Sequence, residues 1–239
     1  MGTTPMREVH IGEAGTVEAV IDTLRHAVVM VQMPTVFVLL APPNSDGVER
    51  LNRTKLRRPN KNYGTALGDL ACFYVMAVPG MLPPELDSVD GLAELTGAFI
   101  RITVAPADFN SPMVRNGTAQ GLLLEGPHRE LFKAVEASFA EVVEPGLVGG
   151  HVFGAPLCTS ANISGHPDGS IVAWERAEAF GRERNIPLVV RCEPEPGLVG
   201  SYPIFWLQRD QVRIERDGPR MAEIKAALPA RLFRPKAPT

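Results

Sequence analysis

PLCTSANISG, Pro156 to Gly165, sets four hydrogen-bonding side chains, Thr159, Ser160, Asn162 and Ser164, within six positions. Short hydroxyls and an amide can hold an anion or a ribose without placing a formal charge beside it. Gly165 closes the run and lets a backbone come near. Taken alone, the same residues also suit an Asn/Ser-rich turn after the apolar pair Val152-Phe153, or a helix N-cap through Ser160 or Asn162. Toward the N-terminus, RTKLRRPNK (Arg53 to Lys61) carries five positive charges in nine residues. Its flexible lysine heads and planar arginine forks suit phosphate or carboxylate, although such a run is by itself equally a solvated basic loop. Toward the C-terminus, IERDG (Ile214 to Gly218) reads as a strand leaving into a turn, with Arg216 near any site the other two stretches build.

The chain has 239 residues, enough for one large domain or a domain with a short tail. Apolar residues make up 45% and charged residues 21%, ordinary globular values that allow a sizeable core and exclude a largely disordered chain. A formal net charge of −3 gives no global attraction to nucleic acid, so a polyanion site must be a local basic cluster. Cys72, Cys158 and Cys192 are odd in number and have no C-x-x-C spacing, which argues against a disulfide framework and a zinc site. Reduced, mostly buried thiols and no bound metal are expected. The five histidines show no partner spacing, so histidine catalysis is not expected, and His128 suits a place at a helix start.

The most apolar run, Val28 to Pro43, is interrupted by Gln32 and Pro34 and is too short to span a bilayer. MGTTPMREVHIGEAG lacks a basic segment followed by an apolar stretch, and its likeness to a myristoylation start is weakened by Pro5. A cytoplasmic protein without a membrane partner is expected.

Outward from the polar motif, periodicity predicts a helix from Thr16 followed by a strand at Val28 to Val31. A fully apolar strand then runs to Leu40, and a turn follows at Asp46-Gly47. A short helix carrying Val48 and Leu51 should precede the basic loop, which extends to Gly64. Leu67 to Val78 reads as strand or buried helix, Leu86 to Leu95 as a helix, and Phe99 to Val104 and Leu122 to Leu124 as strands. His128 to Val143 is amphipathic, with Leu131, Val135, Phe139 and Val142 on one face. Ile186 to Val190, Ile204 to Leu207 and Gln211 to Glu215 read as strands, with Pro187 placing the first of them at an edge or a strand start. Met221 to Leu228 reads as a short helix. No regular strand–helix alternation emerges, so a mixed sheet is the expected architecture.

In this order, the three polar stretches resemble the YrdC-like threonylcarbamoyl-AMP synthase family. TSANISG (Thr159 to Gly165) is nearly identical to that family's S/T-S-A-N-x-S-G signature, and the basic loop resembles its K-x-R-P element. Gly126-Pro127-His128-Arg129 with its helix is similar to the family's V-P-x-H-P segment. Pro34-Thr35 is similar to the start of its P-T-E-T-x-Y-G-L strand, and Arg216-Asp217-Gly218 to its closing R-x-G. The resemblance implies an α/β fold of the α+β type: a twisted mixed sheet with flanking helices around a deep basic cavity. Residues 1–220 would form this nucleotide-binding domain, and 221–239 a short helix with a mobile basic tail. It implies condensation of bicarbonate, L-threonine and ATP to threonylcarbamoyl-AMP and pyrophosphate, for tRNA modification. By motif, Lys55 and Arg57 would bind phosphate and the developing carbamate and act as the catalytic cations. Arg58, Thr159, Ser160, Asn162, Ser201 and Arg216 would serve the nucleotide, and Thr35 the amino-acid end. ATP would enter with Mg²⁺ as a substrate, and no tightly bound cofactor is implied.

The departures cluster in one half of that site. Val36 and Phe37 stand where the family has glutamate and its second threonine, and Leu39-Leu40-Ala41 replaces Y-G-L. The loop reads K-L-R-R-P, one residue longer than K-x-R-P, so Arg57 and Arg58 compete for one role. GSYPIFW (Gly200 to Trp206) replaces S-T-V-V-D, and only Ser201 survives. Three readings follow: a threonylcarbamoyl-AMP synthase, a relative using another amine or acceptor in specialised metabolism, or a non-catalytic binder of nucleotide or RNA. In the last, Arg231, Arg234 and Lys236 of the tail would add local positive charge.

Overall fold

The computed structural model describes residues 6–57, 61–165 and 167–233. After β1 (Arg7–His10), α1 (Thr16–Leu24) buries Thr16, Val20 and Leu24 along one ridge. β2 (Val29–Gln32) and β3 (Phe37–Ala41) are buried at every position and pair antiparallel. α2 (Ser45–Lys55), β4 (Gly64–Leu67), α3 (Leu70–Tyr74) and α4 (Val89–Ala93) follow. β5 (Ala98–Thr103), β6 (Val114–Arg115) and β7 (Thr118–Leu123) lead into α5 (Gly126–Phe139), where Pro127 in the first turn sacrifices no helical hydrogen bond. β8 (Leu157–Ser160), α6 (Trp174–Glu183), β9 (Leu188–Arg191), β10 (Ile204–Gln208), β11 (Gln211–Arg216) and α7 (Met221–Ala227) complete the chain.

Among the described residues, the strands form one mixed sheet of eleven, in the order β1-β9-β2-β3-β8-β4-β7-β5-β10-β11, with β6 paired to β7. Alternation along β3 divides the interior. Phe37, Leu39 and Ala41 join a core with Leu51 of α2, Phe73 of α3, Leu92 of α4 and Phe180 of α6. Val38 and Leu40 face the other way, into a core with Val20 and Leu24 of α1 and Leu131, Phe132 and Val135 of α5. The second face is only partly roofed by its two helices. Val36, Val38, Phe99, Cys158 and Tyr202 belong to that core and also line an open cavity.

Several expectations change. Thr159 and Ser160 lie on β8, paired with Leu39 and Val38 of β3, where the residue types alone suited a turn or a cap. Asp46-Gly47 is the first turn of α2, and the Asn44 side chain caps it by accepting from Gly47 N at 2.9 Å. Arg53, Thr54 and Lys55 are therefore helical, and the irregular segment begins only at Leu56. α5 ends at Phe139, and Val142 is exposed. Of the two places expected for Pro187, the structure has the strand start: it immediately precedes β9, which lies inside the sheet between β1 and β2. β1, β6 and α6 have no counterpart among the expected elements.

Of the thiols, only Cys158 is buried, while Cys72 is exposed and Cys192 half-buried. His128 is buried near the start of α5 and its Nε2 lies 2.9 Å from Gln32 O. Ile224, Leu228 and Leu232 pack into the same core as the sheet, and Arg231 pairs with Glu85. Arg234 and Lys236 lie outside the described residues. No helix among the described residues is long and apolar enough to cross a membrane.

Gly47 is sterically required: a Cβ there would stand 2.1 Å from Pro42 O. Gly47→Ala should cost about 1–3 kcal/mol by forcing the start of α2 off β3. Gly146→Ala, where a Cβ meets nothing within 4 Å, is the control and should be near neutral in a urea melt.

Candidate functional site

The end of α2 places two cations. Lys55 is the last helical residue, and Leu56 caps the helix in the left-handed region at φ 47°. That reversal lets Arg57, two residues on, face the same space as Lys55. β8 supplies Thr159 and Ser160, and Asn162 follows just beyond its end. β10 and β11 bring Ser201 and Tyr202 from before one strand and Arg216 from the end of the other. These groups surround a cavity of about 200 Å³.

Lys55 is 4% exposed. Its Nζ donates to Ser160 O and to Asn162 Oδ1 at 2.5 Å, with Ser160 Oγ at 3.3 Å. Ser160 Oγ also donates to Asn162 Oδ1 at 3.0 Å. Burial, reinforced by the charges of Arg57 and Lys61, pulls the Lys55 ammonium down to about 7. The Arg57 guanidinium lies 3.9 Å from the Tyr63 ring centroid and donates to Lys61 O at 3.1 Å, to Asn62 O and to Thr159 Oγ1 at 3.3 Å. Arg216 donates through Nε at 2.9 Å and Nη2 at 2.6 Å to Tyr202 O. Among the described residues, no carboxylate lies within salt-bridge distance of Lys55, Arg57, Lys61 or Arg216, and no acid lines the cavity.

Burial raises the Cys158 thiol to about 12, so it stays protonated at neutral pH and is no nucleophile. The arrangement can therefore hold and neutralise anions and orient what is attached to them. Among the described residues, no group of three or more His, Cys, Asp and Glu side chains is placed to hold a metal ion.

Lys55, Arg57, Thr159, Ser160, Asn162, Ser201 and Arg216 all line this one cavity, although they come from widely separated parts of the chain. Thr35 does not. Its hydroxyl donates to Gly200 O at 2.8 Å, and it lines a separate pocket of about 80 Å³ with His128, Glu195 and Arg220. Val36 and Val38 line the cavity instead, because alternation into β3 turns them toward it. Arg58 lies outside the described residues. Lys61 and Ser164, which the sequence placed in the basic run and the polar motif without a role, also line the cavity, as do Asn62, Gln120 and Tyr202. Asn62, Gln120 and Tyr202 carried no signal in the sequence.

No family model matches the sequence, and no curated protein matches it by sequence. Solved structures do match. P. abyssi Sua5 complexed with L-threonine superposes with a TM-score of 0.66 at 17% identity, over 96% of this chain and 61% of its own. E. coli YciO superposes with a TM-score of 0.59 at 12% identity, over 91% of this chain and 96% of its own. Full-length HypF in its phosphate- and nucleotide-bound form gives 0.57 at 14% identity, over 85% and 29%. The chain has the YrdC-like fold. It spans about three fifths of the length of that Sua5 structure and nearly all of YciO. In this YrdC-like sheet, the polar motif begins on β8 and runs on past its end, and Pro203 precedes β10, where its carbonyl still accepts from Phe99 N at 2.9 Å.

With its ammonium held at about 7, Lys55 is largely neutral at pH 8 in the free protein. An anion in the cavity favours the charged form and draws in a proton. Pyrophosphate binding at pH 8 should take up about one proton, measured by calorimetry in buffers of different ionisation enthalpy. Affinity should weaken as the pH rises above about 7. Lys55→Met should abolish the uptake, and a pH-independent affinity with no uptake would contradict this account.

Proposed function

We propose that the protein binds ATP with its phosphates against Lys55, Arg57, Ser160 and Asn162 and makes a carbamoyl-adenylate. Bicarbonate and the amine of a small amino acid give a carbamate and water. The carbamate oxygen then attacks the α-phosphorus, and pyrophosphate leaves. With L-threonine as the amine this is the threonylcarbamoyl-AMP synthase reaction, whose product is a donor for tRNA modification. The observation that carries the proposal is the acid-free cavity, in which Lys55 joins Ser160 and Asn162 while Arg57 and Arg216 converge on the same space. Such a reaction needs no covalent nucleophile: it needs crowded anions held in line and their charge neutralised. The Sua5 neighbour was solved with L-threonine and the HypF neighbour with phosphate and nucleotide, which supports ligands of these two kinds.

Lys55 and Arg57 would stabilise the charge passing to the leaving pyrophosphate. Ser160 and Asn162 would orient the phosphates by hydrogen bonds. ATP would bring Mg²⁺ on its own phosphates, since the cavity wall offers no carboxylate. A second reading, with another amine or acceptor, is favoured by Val36 and Val38 in the wall and by the position of Thr35 outside the cavity.

Pyrophosphate release from ATP and bicarbonate, with and without L-threonine, tests the proposal. Threonine-dependent release should fall about a hundredfold or more in Asn162→Ala and in Lys55→Ala, with the circular dichroism spectrum intact. Release that depends on a different amine would select the second reading. ATP affinity unchanged in both variants would remove the site.

A further inference from the structure

The floor of the cavity is the sheet itself. Gly64 of β4 pairs with Cys158 of β8 on one side. On the other side, the register of Thr65 with Gly121 sets Gln120 of β7 next to Gly64, and Gln120 pairs in turn with Arg101 of β5. Ala66, two residues along β4, faces the second core, so the missing Cβ of Gly64 points the same way. A Cβ there would stand 2.6 Å from Phe99 Cε1 and 3.2 Å from Gln120 Nε2. The amide nitrogen of Gln120 therefore lies over Gly64, on the face that lines the cavity.

The orientation of this amide is fixed by its neighbour. Arg101 Nη2 donates to Gln120 Oε1 at 2.7 Å. A guanidinium can only donate, so the amide oxygen must face Arg101 and the NH2 group must turn away from it. Arg101 is itself anchored, with Nε 2.8 Å from Glu215 Oε2 and Nη1 donating to Thr118 Oγ1 at 3.4 Å. Glu215 does not line the cavity, so this ion pair puts no acid in its wall. No hydrogen bond among the described residues uses Gln120 Nε2 as a donor. Gln120 is half-buried, and Nε2 is not one of the sealed, partnerless atoms of the interior, so it stays open to the cavity. From Arg57 the wall continues through Lys61, Asn62 and Gly64 to this amide. A carboxylate at position 120 would pair more strongly with Arg101 but would set an anion in the wall. The amide satisfies the arginine and offers donors to the cavity instead.

We propose that Gln120 is a further substrate-binding residue, its Nε2 donating to an oxygen of the phosphate chain from the floor of the cavity. This rests on the proposed placement of the phosphates. Because Arg101 sets the orientation, the group presents donors alone, which suits phosphate oxygens and disfavours a ligand N–H at that point. Its contribution differs in kind from that of Lys55. An amide has no charge to lose, whereas the ammonium weakens as an anion partner when it deprotonates above about 7.

Pyrophosphate, titrated calorimetrically without Mg²⁺, reads this role directly. Gln120→Met keeps the volume and removes both donors, and its affinity should fall about ten- to a hundredfold, the range for one hydrogen bond to a charged group. The same factor should appear at about pH 6 and at about pH 8, and the proton uptake at the higher pH should persist, since Lys55 is untouched. For Lys55→Met the loss should instead shrink as the pH rises. Equal affinity in wild type and Gln120→Met would overturn the role of Gln120 and leave the phosphate placement standing. A loss of affinity together with the proton uptake would overturn it too, because the variant would then act by disturbing Lys55. A wild-type protein that binds no pyrophosphate removes the placement and the role together. Should Gln120→Met not fold, Gln120→Glu keeps the acceptor for Arg101 and replaces the donors by a carboxylate. Unchanged affinity in that variant refutes the contact, and a loss of about a hundredfold or more supports it.

Discussion

A buried ammonium ties the two halves of the polar machinery together. Lys55 Nζ reaches from the last turn of α2 to Ser160 and Asn162 at the end of β8. A lysine taken out of water without a carboxylate is costly unless its protons are taken up by oxygen. Here the oxygens belong to the groups assigned to the phosphates, so the cation and its neutral partners stay at fixed spacing with no ligand present. The absence of an acid from the wall follows the same logic, since a carboxylate would satisfy the charge permanently and compete with any incoming anion.

The other half of the cavity is built on different terms. Alternation along β3 sends valines to the wall, and Thr35 is spent holding the Gly200 backbone. Polar capacity there comes from Ser201 and from Arg216. The two halves thus meet across the sheet, one made of charge and hydroxyls and the other of apolar surface with isolated polar points.

Strongly periodic segments were legible in the sequence. Apolar runs gave β2, β3, β5 and β9, and the amphipathic ridges gave α1, α5 and α7. Their signals are burial signals, and burial is what the chain records most directly. β8 was not legible, because Thr159 and Ser160 are turn formers by residue type and become strand only through pairing with β3. α6 escaped because its buried face rests on small residues, Ala177 and Gly181, together with Phe180. Asp46-Gly47 looked like a turn, yet that glycine admits the close approach of α2 to Pro42. At the site, the motif residues could be named from the family resemblance and Lys61 stood in the basic run, whereas Tyr202 is an ordinary residue until the fold sets it beside the cavity. Thr35 was expected in the cavity on motif alone, and its orientation depends on the bond it makes to Gly200.

β8 lies in the interior of the sheet, with a hydrogen-bonded strand on each side. Thr159 and Ser160 are held there by the β3 ladder and open only when it opens, so this half shares the stability of the middle of the sheet. Ser201 and Tyr202 sit instead in the irregular stretch between β9 and β10, outside any ladder. Changes there leave strand pairing untouched. On the proposed function, the fold therefore guards the groups that would hold phosphate and leaves freer to change the stretch that would face the amine.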